Sequence, residues 1–95
     1  MANAYTLKLF VAGNSDQSQQ IYVGLCEVLQ GVFPGDYELE VVDVLVYPDK
    51  AKEFGVFATP TLIKNMPEPI QRVVGKLNDK DSIVMAVELI KKQGQ

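Results

Sequence analysis

Histidine is missing from the chain altogether. Its absence removes the commonest general base and the commonest metal ligand together. Cysteine occurs once, at Cys26, so neither an internal disulfide nor a Cys-x-x-Cys redox pair can form. Clustered positive charge is also lacking. Lys and Arg never run together over five positions and the net charge is −3, which argues against a nucleic-acid partner. No apolar run approaches the roughly 18 residues of a membrane-spanning helix, so no membrane role is expected. The opening residues 1–5 lack a basic region followed by an apolar one, so no secretory signal is expected. With a single thiol, that points to a cytoplasmic protein. Gly13 is a lone turn glycine and not a phosphate loop, because no Gly-x-x-x-x-Gly-Lys follows it. Repeats, low-complexity tracts and linkers are absent.

What remains is an ordinary globular composition. The chain has 95 residues, 47% hydrophobic and 22% charged, which suits one domain over 1–95 with a modest core. Residues 5–12 alternate, with Tyr5, Leu7, Leu9 and Val11 on one side. That predicts a strand, and Phe10 on the other side suggests that its second face is partly covered. Asn14, Ser15 and Asp16 supply a helix N-cap. Ile21, Leu25, Val28, Leu29 and Val32 then form one helical stripe, stopped by Gly31, Pro34 and Gly35. Residues 37–45 predict a second strand, with Glu38 and Glu40 toward water and Leu39 and Val41 inward. From Val41 onward the run is nearly all apolar, as in a buried parallel strand.

Pro48 suits the first position of a short helix and Gly55 its C′ position, with Ala51 and Phe54 as the inward residues. Residues 61–64 and 70–75 predict a hairpin of two strands around Met66-Pro67-Glu68-Pro69, since prolines two apart do not sit inside a ladder. Leu77, Asn78 and Asp79 begin a last helix, with Ile83, Ala86, Val87 and Ile90 as its stripe. The order is βαβαββα, an α/β, thioredoxin-like arrangement with a mixed four-stranded sheet. One stretch is ambiguous. Residues 82–90 are almost continuously apolar and rich in β-branched side chains, and periodicity does not separate a buried helix from a buried strand there. Gly55-Val56-Phe57-Ala58-Thr59-Pro60-Thr61-Leu62-Ile63 resembles the cis-proline strand of the thioredoxin superfamily, which predicts a cis Thr59–Pro60 bond.

Catalytic equipment does not follow. A thioredoxin-type oxidoreductase holds a low-pKa cysteine at the first helix N-terminus, where N–H groups stabilise thiolate. The equivalent positions are Asn14-Ser15-Asp16-Gln17-Ser18. Cys26 lies mid-helix on the shoulder of the apolar stripe and reads as a small structural hydrophobe. A redox role through Cys26 is the less favoured alternative. Asp43 is either a functional carboxylate or a loop cap. Thr59 and Thr61 flank Pro60 and read as loop-closing residues. Lys50, Lys52, Lys64, Arg72 and Lys76 are scattered, the pattern of a solvated face. The four tyrosines, Tyr5, Tyr22, Tyr37 and Tyr47, are candidate interface anchors, with core or rim placement the favoured reading for at least two of them. No metal and no cofactor is expected, and the chain reads as no enzyme.

Four stretches together carry a family likeness: Leu7-Lys8-Leu9-Phe10-Val11-Ala12-Gly13-Asn14, Val42-Asp43-Val44-Leu45, Ala58-Thr59-Pro60-Thr61-Leu62 and Arg72-Val73-Val74-Gly75. They resemble the KaiB family of circadian clock proteins over nearly the whole chain. The resemblance implies a non-enzymatic regulator that binds a KaiC-like hexameric ATPase and exchanges two folds. One fold is the thioredoxin-like monomer that binds the ATPase. The other, βαββααβ, is a resting homo-oligomer, a dimer or tetramer, whose C-terminal half is rearranged to end in a strand. Tyr5, Phe57 and Met66 are candidates for burial between its subunits. The alternative is a KaiB-like sensor module that binds a histidine kinase or receiver. On the cyanobacterial pattern Ala86 stands for a glycine, Glu88 for an aspartate and Gly55 for a lysine. Alanine favours helix over glycine by about 0.8–1.0 kcal/mol, which tilts the balance toward the thioredoxin-like form. Gly55, Thr59, Pro60, Ala86 and Glu88 thus mark the expected fold-switch segment. Gln20, Val23 and Glu40 stand where basic residues are expected, which argues against a second clock protein as partner. Lys50, Lys52, Phe54 and Phe57 are the expected partner contacts.

Overall fold

The ambiguous stretch is helical. In the computed structural model, which describes residues 5–75 and 77–93 (side chains to 91), the chain ends in a helix over Lys80–Gln93. Lys76, the opening residues 1–4 and the side chain of Lys92 lie outside the described residues. The elements are β1 (Tyr5–Val11), α1 (Asp16–Val32), β2 (Tyr37–Asp43), α2 (Pro48–Glu53), β3 (Thr61–Met66), β4 (Gln71–Val74) and α3 (Lys80–Gln93). The predicted βαβαββα order holds. The sheet runs β2-β1-β3-β4, with β1 parallel to β2 and both other pairs antiparallel.

Local chemistry places the helix ends as expected. The Ser15 hydroxyl accepts from the Ser18 N–H at 3.1 Å and caps α1. The Asp79 carboxylate accepts from the Ser82 N–H at 2.8 Å at the start of α3. At the end of α2 the Val56 N–H reaches the Ala51 carbonyl and the Gly55 N–H reaches the Lys52 carbonyl. That pair of bonds is a Schellman motif, and Gly55 takes the left-handed φ of +67° that it demands. Thr59–Pro60 is cis, as are Met66–Pro67 and Glu68–Pro69.

Strand alternation divides the core in two. Leu7, Leu9, Val11 and Leu62 face α1 and α3, where Leu25, Leu29, Val87 and Ile90 bury completely against them. Phe10, Val42 and Ile63 face the other way, under Val44, Phe54 and Val56 around α2. The expected cover over Phe10 is therefore the α2 segment, with the Phe54 ring 5.7 Å away. Ala86 lies buried in α3, and Glu88 lies on its exposed side. Gly24 lets α1 approach α3, since a Cβ built there meets the Ile83 side chain at 3.0 Å.

Three expectations need correction. β2 is an edge strand and stops at Asp43, so Val41 is 42% exposed and Leu45, in the turn beyond, 72% exposed. A strand with one neighbour and half-covered faces does not need the continuous burial of a central parallel strand. Lys64 is not on a solvated face. It is fully buried, because it follows Leu62 on the side covered by α1 and α3. Arg72 is exposed but engaged, donating to the carbonyls of Phe54 and Gly55. In this form Tyr5 stacks on Phe33 at 3.9 Å between ring centres, and Phe57 and Met66 are exposed.

Candidate partner-binding face

The sheet's register gathers several loops at one end. Val11 pairs with Asp43, and Phe10 pairs with Thr61. The turn after β1, the turn after β2 and the loop into β3 therefore emerge side by side. Asp43 organises the first two. Its carboxylate accepts from the Gly13 N–H and from the Leu45 N–H, each at 2.9 Å, and its carbonyl accepts from Val46 and Tyr47. The loop-cap reading of Asp43 is the one the geometry supports. Asp43→Ala strands two donors at a part-buried turn and is expected to lower stability by about 1.5 kcal/mol, read from the urea midpoint. Asp43→Asn keeps an acceptor and is expected to lose less.

The third loop is closed by Thr61, whose hydroxyl donates to the Ala58 carbonyl at 2.6 Å from a buried position. With its base pinned, the loop projects Phe57 into solvent at 96% exposure. Leu45, Val46 and Tyr47 are also exposed, from the neighbouring turn. Large apolar side chains clustered at one end of a small domain are a mark of an interaction surface. A groove of about 480 Å³ lies beside Phe57, lined by Val44, Pro48, Lys52, Val56 and Phe57.

Charge frames this patch. The Glu40 carboxylate joins the ammonium groups of Lys8 and Lys50, bridging β1, β2 and α2. Hydrogen bonding first from Lys8 and then from Lys50 holds the Glu40 carboxyl below its ordinary value. A carboxylate with a lowered folded value adds stability above its unfolded value, about 4.3, and loses it as pH falls through the lowered one. Glu40→Gln is expected to flatten the acid limb of stability against pH below that point, measured by urea unfolding. Lys52 is exposed on the same helix. Phe54, by contrast, is half-buried against Phe10 beneath the Lys8 ammonium. Of the four expected contacts, Lys52 and Phe57 line one groove, Lys50 pairs with Glu40 and lies over the Tyr47 ring, and Phe54 packs beneath. Leu45 escapes the sequence reading because it falls in the expected buried strand, Val46 carries no signal of its own, and Tyr47 is one of the four candidate anchors.

At the positions equivalent to a thioredoxin's site the polar side chains pair with one another. Ser15 and Ser18 bond to each other, and Asn14 accepts from the Gln19 side chain. Cys26 sits half-buried in mid-α1, its carbonyl accepting from the Tyr37 hydroxyl at 3.5 Å. Burial raises the Tyr37 phenol above its ordinary value, with the Cys26 thiol adding to the shift. No metal-holding cluster of carboxylates and thiols occurs among the described residues. Tyr5 and Tyr37 are half-buried, and Tyr22 and Tyr47 are exposed, as the core-or-rim division expects.

Residues 8–89 match the KaiB domain. The chain belongs to the KaiB family. It is 43% identical over 86 residues to a circadian clock oscillator protein KaiB of Prochlorococcus marinus, covering 90% of this chain and 74% of that one. To the KaiB of Trichodesmium erythraeum it is 39% identical over 90 residues, covering 95% of this chain and 86% of the relative. In fold it is similar to the N-terminal domain of SasA from Synechococcus elongatus. The TM-score is 0.77 at 23% identity, over 98% of this chain and 88% of that one. Mitochondrial thioredoxin 3 from Saccharomyces cerevisiae follows at a TM-score of 0.68 and 21% identity, over 90% and 78% of the two chains. This KaiB-family chain thus has the thioredoxin-like architecture without a cysteine at the helix start. No helix among the described residues is long and apolar enough to cross a membrane.

Proposed function

We propose that this KaiB-family protein is a non-enzymatic regulator that binds a KaiC-like hexameric ATPase through α2 and the loop before Pro60. The observation that carries the reading is the exposed set Leu45, Val46, Tyr47 and Phe57 beside Lys50 and Lys52, on a domain of a clock-protein family. Apolar anchors ringed by charge suit a protein partner, since the anchors supply affinity and the charges steer the encounter. The binding-competent form is the thioredoxin-like monomer. The resting form is a dimer or tetramer with the C-terminal half rearranged, and Gly55, Thr59, Pro60, Ala86 and Glu88 lie in the segment that exchanges. The protein works in the cytoplasm. The test is co-elution with a purified KaiC hexamer in each nucleotide state, with light scattering of the free protein. A complex in at least one state supports the reading; none in any state sinks it.

A second reading draws on the fold likeness to the SasA domain. In it the chain serves as a stand-alone sensor-type module that engages a histidine kinase or its receiver. Pull-downs with both partner classes separate the two, because the first reading requires the hexamer and the second does not.

A further inference from the structure

Arg72 stands on β4, yet its guanidinium ends on another element. Nη2 donates to the Phe54 carbonyl at 2.7 Å and Nη1 to the Gly55 carbonyl at 3.1 Å. These two acceptors close α2, and they are not the carbonyls used by the Schellman bonds, which belong to Ala51 and Lys52. A helix C-terminus carries partial negative charge, and the planar fork of arginine matches two adjacent oxygens in one grip. We propose that Arg72 is a positioning residue for the partner-binding loop. It latches the C-terminal end of α2 to β4, and so fixes the direction in which residues 56–59 leave the helix and where Phe57 is held out. The proposal rests on the docking reading given above for its functional meaning, and on the free protein for its structural one.

Gly55 belongs to the same device. A Cβ built there lies 3.8 and 3.9 Å from the two terminal nitrogens of Arg72, an ordinary contact distance. The position is thus next to the guanidinium without being blocked. A lysine at 55 brings a second cation beside the first and must also take a positive φ. The latch therefore depends on two residues, one that grips and one whose lack of a side chain leaves the grip unopposed. Lysine at 72 carries the same charge but presents a point donor in place of a fork, so it holds one carbonyl at most with the same geometry.

Three variants and two readouts test this. The variants are Arg72→Ala, Arg72→Lys and Gly55→Lys. The first readout is amide exchange of Gly55 and Val56 in the free protein, whose N–H groups close the Schellman motif. The second is affinity for purified KaiC hexamer. Arg72→Ala and Gly55→Lys are expected to speed that exchange about tenfold and to weaken binding about tenfold, with Arg72→Lys between them and the native protein. Phe57→Ala is expected to weaken binding with exchange unchanged. Unaltered exchange in Arg72→Ala overturns the latch. Weakened binding with unaltered exchange makes Arg72 a direct contact and also overturns it. Faster exchange with full affinity shows that the loop's hold does not matter for docking, and the positioning role fails. A native protein that never binds the hexamer removes the docking reading instead. The exchange arm then decides alone whether Arg72 fixes the loop.

Discussion

Lys64→Met is expected to raise the thermal midpoint by roughly 8–16 °C, from a gain of about 2 kcal/mol. The ammonium of Lys64 has no exposed surface and no hydrogen-bond partner among the described residues. Its strand neighbours in register are Leu7 and Gln71, and Leu62 precedes it on the same side of the sheet. A charge taken from water without a partner loses its hydration and regains nothing. Methionine fills a similar volume with the same flexibility and no charge. The lysine already bears the mark of this penalty, since burial lowers its value below the ordinary one. The sign follows. With a lowered folded value, the unfolded chain binds more protons, so stability climbs with pH toward the ordinary lysine value of about 10.4. Thermal melts across the alkaline range should show that slope in the native protein and lose it in Lys64→Met. A variant that melts at or below the native midpoint rules out an uncompensated amine.

The elements were legible because each had a local cause. Ser15 and Asp79 are caps, Gly55 is a C′ glycine and Pro60 precedes a strand, and each behaves so in the structure. Residues 82–90 were the exception, since periodicity left helix and strand open there, and only the structure shows Ile83, Ala86, Val87 and Ile90 buried in α3. Sheet order was not legible in the same way. Nothing local to residues 37–45 says that their strand lies at an edge, so Val41 and Leu45 were placed inside. Lys64 was hidden for the same reason. A lysine at a strand end is solvated by default, and only the packing of α1 and α3 over that side makes it buried. Arg72 was hidden because its partners are backbone carbonyls of another element, which leave no trace in side-chain pattern. The candidate face was half legible. Lys50 and Lys52 follow from the second helix and Phe57 from the loop before Pro60, Tyr47 stands among the four candidate anchors, and Leu45 needs the correct end of β2.

Phe57→Ala is expected to weaken binding to the hexamer by at least about 2 kcal/mol, or about 30-fold, and to leave the unfolding midpoint where it is. The two halves of that expectation come from one number, the 96% exposure of the ring. A side chain that buries almost nothing on folding contributes almost nothing to stability, so truncation stays within about 0.5 kcal/mol. The same ring is free to bury most of its surface on docking, and aromatic side chains of this kind dominate interface energetics. The loop that carries it is fixed at both ends, by the Schellman turn at Gly55 and by the bond from Thr61 to Ala58. A held anchor loses little conformational freedom on binding, which leaves more of its burial available as affinity. Lys50→Ala and Lys52→Ala should behave differently. Both lysines are exposed, so their loss should slow association and reduce salt dependence more than it speeds dissociation. Surface-plasmon traces at two ionic strengths distinguish the cases, with Phe57→Ala changing the dissociation phase and the lysine variants the association phase. Unchanged dissociation in Phe57→Ala places the docking surface elsewhere on the domain.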